Sequence, residues 1–367
     1  MLNALTFLFP LGEILYAHIT PYIRLRFLDV VVCIFCFEAI IMSKESILYS
    51  IKKSGLTLLA LSLSISALIN IQSATSASIV YLLRTLLYFF FFSCIASIKK
   101  RPIEIARYFM ASFLIVLLTA LIQYLYYPSL RNLMYLGYDP HEFRIFGLFL
   151  DPNLIGLFFV WSILYFTHKK QVVLLIISLC ILLLTYSRIS IIAAIVSGMY
   201  LLFTYVRRNR AILITSIAMI VLIIVLATLP KKQGEGTNLL RMNSVISKTH
   251  ALSITQEVVR KNALFGIGFN TLPSYHIQST SLNNSTYGLD NSVLTVIVTS
   301  GIFGFLGYLT FFLTMFKRSS VVFKAMTLAY AVHSLSTNSF FTPTLFVVYG
   351  IFYVLTLSDT AHEQSSQ

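Results

Sequence analysis

Apolar runs, many close to the ~20 residues that span a bilayer, alternate along the chain with short clusters of Lys, Arg and turn residues. Bounded by those clusters, the runs predict twelve helices: 2–18, 27–42, 54–71, 78–98, 106–127, 148–167, 171–186, 189–206, 211–229, 291–316, 321–335 and 341–357. The pattern therefore predicts an all-α polytopic membrane protein with about 12 transmembrane helices. Nine spans make an N-terminal bundle over 1–229, and 230–289 forms one large loop. Three further spans fill 290–357, and 358–367 reads as a polar, disordered tail.

Two connections are too large or too polar to be simple turns. One, 128–147, carries Arg131, Asp139, His141, Glu142 and Arg144. The other, 230–289, exceeds the length at which a loop is usually functional. Within it, Leu239, Met242, Val245, Ile246, Leu252 and Val259 recur at near-helical spacing, with Arg241, Lys248, Arg260 and Lys261 between them. This predicts an amphipathic helix over 238–262 lying on the membrane face. The remainder of the loop, including Gly266–Asn270 and 278–288, has no such period.

Composition supports the membrane reading. Hydrophobic residues make up 57% of the chain and charged residues only 11%, against ~25% charged in soluble domains. The net charge is +14, from 27 basic and 13 acidic residues. On a soluble chain that surplus would point to nucleic acid. Here the basic residues cluster between apolar runs, where they set topology, so nucleic acid is not the expected partner. With the N-terminus in the cytoplasm, Lys99–Arg101, Lys169, Lys170, Arg207, Arg208, Arg210, Lys317 and Arg318 fall on the cytoplasmic side. Only Arg24, Arg26, Arg131, Arg144 and Arg188 fall in short external connections. Both termini are then cytoplasmic and both large connections external. The first run lacks a basic leader and a small-residue cleavage site, so it reads as retained. Cys33, Cys36, Cys94 and Cys180 lie inside apolar runs and read as packing residues, the Cys33/Cys36 CxxC included.

Arginine near hydrocarbon is costly and marks function by default. Arg144 and Arg188 sit at the external ends of predicted spans and Arg84 a few residues below that surface. Each alone could snorkel to lipid phosphate or pair with a carboxylate; three on one face favour an anion site. Guanidinium forks match phosphate oxygens, and at this depth a lipid-linked phosphate or pyrophosphate suits them. The sequence has no P-loop, no HExxH and no carboxylate cluster for a divalent metal. For a general base, Asp290 stands at the junction of the long loop and a span, followed by Asn291. It reads either as the base or as a helix N-cap. His250 and His276 are the alternatives.

Three passages resemble the bacterial O-antigen ligase/polymerase family of membrane glycosyltransferases. Arg144-Ile-Phe-Gly147, leading into Asp151-Pro152-Asn153-Leu-Ile-Gly156, is similar to the family's Arg-x-x-Gly and Asn-Pro-Asn-x-x-Gly. Thr185-Tyr186-Ser187-Arg188 is similar to its Thr-x-Ser-Arg. Gly266-Ile-Gly268, Asp290-Asn291-Ser-Val-Leu294 and Gly301-Ile-Phe-Gly304 follow its Gly-x-Gly, His-Asn-x-x-Leu and Gly-x-x-Gly order.

The resemblance implies a C-type glycosyltransferase-like fold in the bacterial inner membrane. It further implies a periplasmic site that transfers glycan from undecaprenyl pyrophosphate without a metal or other cofactor. Arg144 and Arg188 would hold the pyrophosphate and Arg241 would neutralise the leaving group. Arg84, Asn153, Lys248, Arg260, His276 and Asn291 are the further candidates for binding substrate, and Asp290 stands where ligases carry histidine. That departure favours a polymerase, extending lipid-linked repeat units, over a ligase delivering glycan to lipid A–core. A chain-length regulator is the expected protein partner and membrane lipid the surroundings. A transporter or flippase of lipid-linked glycan is the alternative from another class; the sequence offers it no paired broken helices or half-to-half symmetry.

Overall fold

The computed structural model describes residues 1–20, 23–53, 55–97, 102–206, 235–239, 242–272 and 289–365, with isolated positions between 209 and 228. Its described elements are predominantly helical: α1 Leu2–Leu8, α2 Phe27–Lys53, α3 Leu56–Ile69, α4 Ser76–Ser97, α5 Pro102–Tyr126, α6 Pro152–His168, α7 Val172–Leu184, α8 Arg188–Tyr205, α9 Asn243–Lys261, α10 Ser292–Arg318, α11 Val321–Ser334 and α12 Pro343–Ser365. Among these, Ser76–Ser97, Ile103–Tyr126, Arg188–Tyr205 and Ser292–Lys317 are long and apolar enough to cross a membrane, and shorter apolar helices accompany them. This is a helical membrane protein.

Several boundaries differ from those the pattern predicts. The first run is not one helix: α1 ends at Leu8, and β1 Tyr16–Thr20 pairs antiparallel with β2 Ile23–Arg26. Pro10 and Gly12 interrupt the helix, and the β-branched and aromatic residues that follow suit a pleated strand. The span read at 148–167 begins only at Pro152, because 147–149 is a short 3-10 turn. The polar tail also differs: α12 continues to Ser365, since Ala361, Glu363 and Gln364 favour helix and no Pro or Gly stops it. The run at 211–229 lies largely outside the described residues, as does 273–288.

The chain divides into two compact units, each drawn from separated segments. The first comprises 1–112, 242–318 and 334–358. Its core is aromatic: Phe92 stacks on Tyr349 at 5.7 Å and meets Phe311 edge-on at 5.5 Å. α3 and α10 approach at glycine contacts. A Cβ on Gly55 would lie 2.2 Å from the Phe311 nitrogen, and one on Gly307 2.5 Å from the Leu59 nitrogen. Such small-residue contacts let helix backbones close where lipid offers no hydrophobic drive.

α10 is interrupted at Gly301, with φ 65° and ψ −158°. A broken helix at membrane depth must re-satisfy the groups it frees. The loop ahead of it does so: Ile267 N donates to Val298 O at 2.9 Å, Gly268 N to Thr299 O at 3.2 Å, and Ile302 N to Ala263 O at 2.9 Å. Ser66 Oγ of α3 adds a bond to Thr299 O at 2.6 Å. One helix break is thus present that the sequence pattern did not disclose.

α9 confirms a helix within the long loop, starting at Asn243. Its C-terminal Val258 and Val259 pack on Ile267, Leu272, Leu289 and Val298. Toward its start, Ile246 and Leu252 are exposed, as is Met242 just before the helix.

The second unit comprises 113–241, 319–333 and 359–367. Phe113 meets Phe166 edge-on at 4.8 Å, and α6 packs on α7 and α8. Gly156 permits the α6–α8 approach, because a Cβ there would lie 2.4 Å from Ser190 Oγ. Trp161 Nε1 donates to Met326 O at 3.1 Å, fastening α11 to α6.

Candidate functional site

In the second unit the starts of α6 and α8 are tied together. Asp151 caps α6, its Oδ1 accepting from Asn153 N at 2.6 Å and Leu154 N at 3.4 Å. Ser187 caps α8 by accepting from Ser190 N, and its hydroxyl donates to Asn153 Oδ1 at 2.8 Å. Asn153 O accepts from Ser190 Oγ at 3.2 Å and lies 3.0 Å from His333 Nε2. A carbonyl only accepts, so His333 carries its proton on Nε2. Two helix N-termini, each a favourable place for negative charge, therefore meet over one asparagine.

Arg144 reaches this junction from the preceding loop. It is 5% exposed, and its Nε donates to Thr185 O at 2.8 Å. Gln123 of α5 holds the backbone around it: Oε1 accepts from Phe146 N at 2.9 Å and Gly147 N at 3.1 Å, while Nε2 donates to Arg144 O at 3.2 Å. His141, Phe143, Gly147 and Leu150 all have positive φ, the conformation of a tightly folded loop. Burial raises the Asp151 carboxyl above the usual carboxylate range, opposed by its capping bonds and by the Arg144 charge.

Arg188 is the first residue of α8, and its Nη1 donates to Leu239 O at 3.4 Å. The same short segment covers Arg144: a Cβ on Gly236 would lie 3.3 Å from Arg144 Cδ and 2.6 Å from Glu142 O. The opening of the long loop, 235–239, thus touches both arginines. Arg131, which unlike these two is exposed, pairs with Glu142 on the same loop as Arg144.

The other candidates fall in the first unit or outside the described residues. Asp290 and Asn291 precede α10, and the cap belongs to Asn291, whose Oδ1 accepts from Leu294 N at 2.9 Å. The capping role considered for Asp290 is therefore filled by its neighbour, and Asp290 stands exposed beside it. Asn291 Nδ2 also donates to Leu335 O at 2.8 Å. Arg260 is exposed near the end of α9, Lys248 lies within that helix, and Lys261 pairs with Glu257 at 2.7 Å, which holds the Glu257 carboxyl below its usual range. Arg241 and His276 lie outside the described residues.

Arg84 is engaged within the first unit. Its Nη2 contacts Asp29 Oδ2 at 2.7 Å and also donates to Arg24 O, while the guanidinium lies over the Tyr81 ring at 4.9 Å. Tyr88 donates to the other Asp29 oxygen at 3.0 Å. Beside this pair, Arg26 bridges to Glu13 at 2.9 Å, and Thr344 donates to Glu13 at 2.7 Å. Arg84 thus has its charge matched by a buried acid.

Sequence reasoning missed Gln123 and His333. Each is a polar residue inside an apolar run, which was the available signal. Among the described residues, no cluster of His, Cys, Asp and Glu has the make-up to hold a metal ion.

These features define a multi-pass helical membrane protein with arginines fixed where two helix N-termini meet. The family model described as O-antigen ligase matches residues 173–309, a stretch that holds Arg188, α9, Asp290 and the break in α10. Over those residues the chain is similar to that family, whose members are glycosyltransferase-like enzymes. No curated protein matches the chain.

Proposed function

We propose that the protein is an O-antigen polymerase of the bacterial inner membrane. It transfers the growing glycan from undecaprenyl pyrophosphate onto the non-reducing end of a new lipid-linked repeat unit at the periplasmic face. Both termini are cytoplasmic, and a chain-length regulator is its protein partner. The observation that carries this reading is the placement of Arg144 and Arg188 at the joined N-termini of α6 and α8, under 235–239.

The acceptor hydroxyl attacks the anomeric carbon from the face opposite the leaving group. The bond from that carbon to the pyrophosphate oxygen breaks with inversion, and no metal is required. Negative charge grows on the pyrophosphate, so fixed guanidinium groups and helix N-termini stabilise the transition state more than the ground state. Asp290 accepts the acceptor's proton, a contribution of roughly 10²–10⁴-fold. Its exposure and the assignment of the cap to Asn291 support that role. Arg241, two residues beyond Leu239, follows the segment that touches both arginines. The exposed Met242, Ile246 and Leu252 offer lipid an apolar stripe.

The ligase reading is favoured by the matching family, O-antigen ligase. The aspartate at 290 in place of histidine supports the polymerase over it. A transporter draws on the break in α10, but the freed carbonyls there are already engaged by loop amides and Ser66. Deleting the gene in its host and resolving lipopolysaccharide by gel separates the readings. A core carrying one repeat unit is the expected result. Bare core with polymer retained on the lipid carrier would identify the ligase, and an unchanged ladder would overturn both.

A further inference from the structure

Arg144 sits on a loop, and loops hold functional groups less precisely than helices do. The side chain that ties this loop to a helix is Gln123, on the last turn of α5. It follows ten residues, 113–122, of which only Thr119 is polar. An amide buried in such a run is costly unless it is hydrogen-bonded.

Gln123 is 8% exposed, and its side chain uses its whole hydrogen-bonding capacity. Nε2 donates to Tyr127 O at 3.0 Å and to Arg144 O at 3.2 Å. Oε1 accepts from Phe146 N at 2.9 Å and Gly147 N at 3.1 Å. A side-chain amide has two donor protons and two acceptor lone pairs, so nothing is left over for substrate. All four partners are backbone groups. They lie at the two ends of the 128–143 connection, whose neck is closed beside them by Phe143 N donating to Pro128 O at 2.7 Å.

The turn held in this way has no regular structure to keep it in place, and φ is 55° at Phe143 and 48° at Gly147. Arg144 is gripped at three points instead. Gln123 binds its carbonyl, Leu184 O accepts from the next amide, Ile145 N, at 3.1 Å, and Thr185 O accepts from its Nε at 2.8 Å. The first grip comes from α5, and the other two come from the end of α7. All of these residues belong to the second unit. Removing the α5 grip leaves the α7 contacts, so the guanidinium shifts rather than detaches. A shift of ~1 Å in a reacting site can cost roughly 10²-fold in rate.

We infer that Gln123 is a positioning residue for Arg144: it carries the rigidity of α5 to the loop and sets where the guanidinium meets the leaving pyrophosphate. The inference rests on the glycan-transfer reading and deepens it. Because Gln123 has no group free to touch substrate, it acts through Arg144 alone.

The test uses the full-length protein in lipid nanodiscs, supplied with the host's lipid-linked repeat units. Gln123→Glu keeps the shape and both acceptor bonds but loses the protons given to Tyr127 O and Arg144 O. Gln123→Asn keeps the amide but is one methylene too short to span the same four partners. Each should lower kcat by roughly 10²-fold. KM should stay near that of wild type, the signature of an interaction realised only in the transition state. Hydrogen exchange gives a readout that needs no turnover. In Gln123→Asn the Phe146 and Gly147 amides should exchange roughly tenfold faster, the order that one hydrogen bond supports. Unchanged exchange there, or wild-type kcat in both variants, would overturn the positioning role. So would a loss confined to KM, or a collapse of protein levels in both variants, which would make Gln123 a folding residue. Wild-type protein that forms no polymer would sink the polymerase reading instead, and the exchange rates would still decide whether Gln123 holds the turn.

Discussion

At Arg144 and Arg188 a planar, permanently charged fork is held by the backbone on one side and presented beside helix N-termini on the other. Arg188→Ala should lower the rate of in vitro polymerisation by roughly 10²–10³-fold, the cost of removing one fixed transition-state donor. Protein levels and thermal stability should be near normal, because its hydrogen bond to Leu239 O, at 3.4 Å, is a long one. Arg144→Lys should lose comparable activity: lysine keeps the charge but not the fork, and it gives up the bond to Thr185 O. Asp290→Asn should reduce the rate roughly 10²–10⁴-fold with normal expression. Full activity in that variant would show the base to be elsewhere.

At this scale the sequence was informative where a residue type is costly and uninformative where a partner is distant. Arg144, Arg188 and Asn153 stood out because arginine and asparagine at the edge of apolar runs need a reason. His333 and Gln123 did not, since their partners depend on how α11 and α5 pack. Arg84 stood out for the right physical reason, its cost in hydrocarbon. Asp29 balances that cost, and no local rule links it to a residue fifty-five positions along the chain.

Among the elements, α10 and the first apolar run mark where periodicity stops being a guide. Hydropathy reads 291–316 as one continuous helix, because a glycine in an apolar run is compatible with helix. The break becomes visible only with the loop that closes it, and pairing across about thirty to forty residues leaves no periodic trace. Gly301→Ala tests the device. The new Cβ would lie 2.2 Å from Leu264 O, at a φ of 65°, and left-handed strain alone costs ~1–2 kcal/mol. The variant should show a lowered melting temperature and reduced yield. Gly198→Ala in α8, where nothing lies within 4 Å of the added carbon, should behave as wild type in the same assays. The opposite error arose at 2–18, where high hydropathy concealed Pro10, Gly12 and a strand-forming stretch.

For the whole molecule, composition alone identified a polytopic membrane protein, and the proposed sidedness can be checked directly. In a protein whose native cysteines are replaced by alanine, Lys261→Cys should react with an impermeant maleimide in intact spheroplasts. Lys169→Cys should react only after permeabilisation. Reversed labelling would put the catalytic face in the cytoplasm and remove undecaprenyl-pyrophosphate glycan as its substrate. The grouping into two units was not legible, because hydropathy orders spans along the chain and says nothing about which spans pack together.

That grouping has a consequence for synthesis. The first unit joins residues near the N-terminus to 242–318 and 334–358, and Glu13 receives its bond from Thr344. Proteins emerge from the ribosome N-terminus first. The early helices therefore enter the bilayer long before their partners exist, with Gly55 uncovered and Glu13 lacking the Thr344 hydroxyl. The nascent chain must remain in the insertion machinery, or under a chaperone's protection, until almost its last helix is translated. A stop codon after Leu335 should thus yield a short-lived fragment degraded from the membrane rather than a stable N-terminal bundle, and a pulse-chase experiment would measure its lifetime.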